Sequence, residues 1–347
     1  MKRAAFTALL AALASTAAVS LASAAAPANG RLIVSNPDLN VGANGAIHLS
    51  AIPAPNTFRT TIYAPAGYRA PGDLGAVGNN VGKAQVFATQ ADGSRVTLNG
   101  QLSVVPPATV PQTQCDSSST HAAVWMLKAN QTGGTGTITF PIYVDTPSTD
   151  PNVPAAASYA LRFCAADRGV NVTEVDLDLV RMFVNPAARG MYLWRAVYEP
   201  SQGDGTTIAS AESVGVVAAV PVDAQVTMRA TKVRSRKGWY TFTGTVTAVR
   251  HALGNVKVQL FAGHQRKLAL NRPRATVRTK ADGTYRVTLH LAGKGAWYAR
   301  ARASTPYQDI TAGGGCSSVK DTLAAKTCVD ATLAPFVVLT KPLLRVG

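Results

Sequence analysis

Carboxylates are scarce in this chain: 18 Asp and Glu stand against 34 Lys and Arg in 347 residues, for a net charge of +16. Histidine is scarcer still, at five residues, and none sits in a nucleophile-elbow or zinc-binding pattern. The four cysteines have no closely spaced Cys or His neighbours, so neither a structural metal site nor a cofactor is expected. Gly313-Gly314-Gly315-Cys316 lacks the Lys-Ser/Thr and following helix of a phosphate-cradling loop, and reads as a turn. Beyond the first residues no stretch is long and apolar enough to span a bilayer.

The N-terminus itself carries a different signal. Met1-Lys2-Arg3 leads an Ala- and Leu-rich run through Leu21, and Ala22-Ser23-Ala24 fits a signal-peptidase site. Residues 1–24 read as a signal peptide, and the mature protein is expected to be extracellular or cell-wall associated. In that oxidising compartment an even cysteine count predicts two disulfides. Of the three connectivities, Cys115–Cys164 and Cys316–Cys328 fit best because the pairs lie in different halves. They would close loops worth roughly 4 and 3 kcal/mol.

What remains is an apolar but weakly charged composition, 47% hydrophobic and 15% charged, in short runs separated by turn residues. That pattern predicts an all-β protein of two β-sandwich domains, over 25–224 and 225–347. In the first, residues 84–90 and 95–102 flank Asp92-Gly93 as a hairpin. In the second, Tyr285, Val287, Leu289 and Leu291 alternate with Thr284, Arg286, Thr288 and His290, a period of two that divides core from solvent. Ala281-Asp282-Gly283 predicts a hairpin between residues 276–280 and 284–291. Trp297, Ala299, Ala301 and Ala303 alternate in the same way with Tyr298, Arg300 and Arg302. Seven or so such strands make an immunoglobulin-like sandwich.

Phe242-Thr243-Gly244-Thr245-Val246, Asn255-Val256-Lys257-Val258, residues 279–285 and Gly295-Ala296-Trp297-Tyr298 together resemble the strands of carboxypeptidase-regulatory-like domains. The resemblance covers about 60 residues and implies a prealbumin-like sandwich that serves as an accessory module without catalytic residues. Residues 62–68 and Phe183-Val184-Asn185-Pro186 resemble phrases in secreted proteins of high-GC soil bacteria to which no activity is attached.

Glu174, Asp176 and Asp178 alternate with Val175, Leu177 and Leu179, so the three carboxylates line one face of a strand about 7 Å apart. A solvated face balanced by a neighbouring basic strand is the expected reading, ahead of a calcium site or a glycosidase pair.

The charge is unevenly divided. Residues 25–224 hold 11 Lys and Arg against 14 Asp and Glu, whereas residues 225–347 hold 21 against 4. Arg229, Lys232, Arg234, Arg236 and Lys237 cluster beside Trp239. Arg266, Lys267, Arg272, Arg274 and Arg278 lie on a long connection, and Arg300 and Arg302 point outward from a strand. With Trp239 and Tyr298 available to stack on rings, these residues predict a surface for an anionic ligand. The expected partner is an anionic envelope polymer or surface glycan, with nucleic acid bound only as a polyanion. The function expected is non-catalytic binding. A secreted carbohydrate-active or lytic enzyme with a basic accessory domain and a surface adhesin are the alternatives.

Overall fold

The computed structural model describes residues 30–70, 74–90, 92–110, 120–131, 137–164, 170–200, 213–249, 251–305, 308–310, 328–341 and 343–346. The proposed signal peptide lies outside them, as do Cys115 and Cys316.

The first part of the chain forms β1 (Arg31–Ser35), β2 (Ala46–Ile52), β3 (Thr57–Pro65), β4 (Asn80–Gln90), β5 (Arg95–Val105), β6 (Ala123–Gln131), β7 (Thr137–Asp145), β8 (Ala157–Cys164), β9 (Val170–Val180), β10 (Gly190–Pro200) and β11 (Val214–Val222). They join in one sheet in the order β1-β2-β9-β4-β5-β6-β7-β8-β3-β10-β11. The β4–β5 ladder is the hairpin predicted at Asp92-Gly93, with Thr89 opposite Arg95. The sheet folds over on itself, because β1 returns to lie against β10 and β11. Tyr198 on β10 fixes that return by donating from its hydroxyl to the Arg31 carbonyl at 2.6 Å. Alternate residues of the facing layers, among them Leu49, Ile62, Trp125, Leu161, Leu177 and Trp194, bury a common core.

The remaining strands are β12 (Gln225–Val226), β13 (Arg229–Lys232), β14 (Trp239–Ala248), β15 (His251–Ala252), β16 (Lys257–Gly263), β17 (Ala275–Arg278), β18 (Thr284–His290), β19 (Trp297–Thr305), β20 (Gln308–Ile310), β21 (Cys328–Leu333), β22 (Phe336–Leu339) and β23 (Leu344–Val346). Two sheets face each other here. One joins β14 to β12, β13, β15 and β18, and the other runs β17-β16-β19-β22, with β23 also on β19. Phe242, Val246 and Tyr285 from the first sheet meet Val258, Leu260, Ala299 and Ala301 from the second. The protein is thus all-β, and this second unit is an immunoglobulin-like sandwich. The glycine of Thr243-Gly244-Thr245 has a packing reason: a Cβ there would lie 2.0 Å from the Thr227 carbonyl oxygen.

Two expectations need correction. Asp282-Gly283 does turn the chain, with Lys280 and Gly283 sharing a backbone hydrogen bond of 2.9 Å, but β17 and β18 enter different sheets. The segment is an arch across the sandwich: Tyr285 of β18 is buried in the shared core, and Val277 of β17 and Val287 of β18 are partly buried against it from the two sheets. The segment of β20 and β21 also leaves the unit to which the boundary at 225 assigned it. β21 pairs in parallel with β11, and β20 pairs with β21, extending the first sheet to thirteen strands. The backbone groups on the free edge of β11 are thereby satisfied. At the junction Asp223 takes a left-handed φ of 52° and donates its N–H to the Leu39 carbonyl at 2.6 Å, turning the chain from β11 into β12.

Candidate anion-binding faces of the basic sandwich

Pairing register places the basic residues. On β14 the buried Phe242 and Val246 point inward, so Thr241, Thr243 and Thr245 point outward. Thr243 stands between Arg229 on β13 and Arg286 on β18, and Thr241 stands between Thr231 and Thr288. Arg229 and Arg286 therefore share one open face. Lys232 lies at its edge, and the following turn carries Arg234, Arg236 and Lys237, all exposed.

The outer face of the second sheet follows the same rule. Inward Val258, Leu260, Ala301 and Ala303 alternate with outward Lys257, Gln259, Phe261, Arg300 and Arg302. Arg278 on β17 lies opposite Lys257, and Arg345 on β23 lies opposite Tyr298. Lys257, Arg278 and Arg345 are exposed, as are Arg266, Lys267, Arg272 and Arg274 on the connection before and up to β17. The basic residues do not form one patch. They occupy two faces directed away from each other across the core.

The arginines of the second face are held by neutral groups. Arg302 donates from Nε and Nη2 to Gln259 Oε1 at 3.1 and 2.6 Å, and its guanidinium lies 5.1 Å over the Phe261 ring. Arg278 donates from Nη1 to the Asn255 carbonyl at 2.9 Å, and Arg274 donates from Nε to the Ala262 carbonyl at 3.4 Å while lying over Trp297. Arg266 approaches the Tyr298 hydroxyl at 3.5 Å and covers its ring. That hydrogen bond holds the Tyr298 phenol below its ordinary pKa. Arg300 Nε is buried without a hydrogen-bond partner. Amides, carbonyls and rings orient a guanidinium without cancelling its charge, whereas a carboxylate would do both. In residues 225–305 the one carboxylate is Asp282, at the arch between β17 and β18, where it accepts from the backbone and hydroxyl of Thr284.

The aromatic residues of these faces contact basic side chains. Trp239 stacks on His290 at 5.3 Å and 19°, with the Arg236 guanidinium 5.5 Å from its ring. It is a platform for Arg236, as Tyr298 is for Arg266.

Two of the three carboxylates of the β9 row have local partners, while Asp176 Oδ1 is buried without a hydrogen-bond partner. Asp178 lies between His48 and Lys83 in register and meets His48 Nδ1 at 2.8 Å, while Glu174 accepts from Ser50 at 3.0 Å. No group of three His, Cys, Asp or Glu among the described residues could hold a metal. Sequence reasoning gave no histidine a partner, yet His121 reaches Asp145 at 3.0 Å in an almost enclosed cluster. Arg162 joins it there, 3.5 Å from Asp145 and 2.8 Å from Asp150. These residues converge because the segment entering β6, the end of β7, the turn after it and β8 lie side by side, which residue spacing does not reveal. Cys164 is buried and disulfide-bonded. Cys115 and Cys316 lie outside the described residues, as does the side chain of Cys328.

A cavity of about 600 Å³ lies at the junction of the two units, with Asp38, Asp223, Lys341 and Arg345 among its walls. Its charge is mixed. Asp38 Oδ1 already accepts from the backbone and side-chain amides of Asn40.

No protein-family model matches the chain, and no curated protein matches it. Among solved structures it is similar to the D0-D1 domain of intimin, at 13% identity over 88% of this chain and 96% of that one, with a TM-score of 0.20. It is also similar to a tetra-tandem repeat in the extending region of a large adhesion protein, at 11% identity over 91% and 99%, with a TM-score of 0.22. TM-scores of that size carry no argument about what the chain does.

Proposed function

We propose that this is a non-catalytic extracellular binding protein whose C-terminal sandwich holds anionic envelope polymers or surface glycans. The observation that supports it most directly is the set of arginines oriented by neutral acceptors: Arg302 by Gln259, Arg278 by Asn255 and Arg274 by the Ala262 carbonyl. Charge placed only for solubility needs no such orientation and is ordinarily interspersed with carboxylates. Oriented forks with free N–H donors suit phosphate, sulfate or carboxylate groups on a polymer. The resemblance of this part of the chain to carboxypeptidase-regulatory-like accessory modules agrees with a tethering role.

The test is a comparison of ligands. The full chain is titrated with a teichoic-type polymer, an acidic glycan, anionic vesicles and duplex DNA at matched charge. If about six cations each neutralise one phosphate of a duplex, raising salt from about 50 to 200 mM weakens that binding roughly a thousandfold. A preference for one polymer that persists at physiological salt supports the proposal. Equal, weak binding to all four refutes it.

The hydrolase alternative has one observation in its favour, the two carboxylates Asp38 and Asp223 in the wall of the junction cavity. Lys341 and Arg345 share that wall, so the cavity is lined by both signs of charge and not by an isolated carboxylate pair.

A further inference from the structure

The two sheets of the basic sandwich are packed face to face, so their outer surfaces point in opposite directions. One carries Arg229 and Arg286 on either side of Thr243. The other carries Arg278 beside Lys257, and Arg345 beside Tyr298. All five cations are exposed, and among the described residues neither surface carries a carboxylate. The backbone layers of a sandwich lie about 10 Å apart. The hydrophobic core thus lies between the two basic faces.

We infer that the sandwich binds two anionic polymer chains at once, one on each face, and so cross-links them. This rests on the proposed anionic-polymer binding and goes beyond it, since a protein that only attached itself to a polymer would need one face. A compact domain with cations on two opposed surfaces brings two polyanions close together while screening their mutual repulsion. Its consequence is a bridging activity: a polymer mesh tightens as protein is added and loosens again when protein is in excess, because each molecule then occupies only one chain.

The experiment uses the full-length protein and a short heparin oligosaccharide that cannot reach around the sandwich edge. Native mass spectrometry counts oligosaccharides per protein chain, and energy transfer between donor- and acceptor-labelled oligosaccharides reads their proximity. The wild-type chain is expected to carry two and to give transfer. R229E/R286E, and separately K257E/R278E/R345E, should each carry one and give none, with melting temperatures near wild type. The corresponding Arg→Gln and Lys→Gln variants should act in the same direction if the glutamates disturb folding. One oligosaccharide per wild-type chain, or loss of both from either variant alone, would overturn bridging and leave the binding proposal intact. No binding by the wild-type chain would overturn both.

Discussion

Arg302 and Phe261 meet on the outer face of the second sheet, the guanidinium 5.1 Å from the ring centroid, and Phe261 is fully buried in a position that alternation assigns to solvent. The arginine covers the ring and the ring orients the arginine. Lysine keeps the charge but loses both the planar fork and much of the ring contact. Arg302→Lys should therefore weaken heparin binding by the full chain roughly three- to tenfold, or ~0.7–1.4 kcal/mol, in isothermal titration at fixed salt. Unchanged affinity would mean that charge alone is recognised.

Arg162 is the cation that Asp145 and Asp150 share in the first unit. Removing it leaves two buried carboxylates without that partner, so Arg162→Ala should cost about 3–5 kcal/mol in denaturant unfolding. Heparin affinity measured well below the melting temperature should not change. A loss of binding without a loss of stability would place this cluster in the binding surface instead.

Asp150 also sets an acid limit. Burial by itself raises its pKa, but the Arg162 hydrogen bond, the Asn152 backbone N–H and the Arg162 charge together outweigh that and hold the carboxyl below its ordinary value. A depressed folded pKa contributes stability that is complete above the unfolded value, about 3.9, and is lost as pH falls through the folded one. Unfolding free energy should fall as the pH drops below about 4. Asp150→Asn should lower the neutral-pH plateau and flatten that acid limb; an acid limb as steep as wild type would assign the dependence to other carboxylates.

No turnover is expected when the full chain is screened against peptidoglycan, polysaccharide, ester and peptide substrates. Hydrolysis abolished by Asp38→Asn or Asp223→Asn would restore the enzyme reading at the junction cavity. Hydrolysis abolished by Asp176→Asn or Asp178→Asn would restore it at β9.

The sequence by itself determined the β character, the inward and outward residues of β18 and β19, and the concentration of cations after residue 225. Alternation has a period of two and composition is a sum, so both can be read along the chain without knowing which strands pair. Only the tertiary structure decided that Asp282-Gly283 is an arch between sheets, that β21 returns to β11, that His121 lies against Asp145, and that Arg229 and Arg302 belong to opposite faces. Each of these depends on which edge a strand hydrogen-bonds, and that choice is fixed by burying apolar faces contributed from distant parts of the chain.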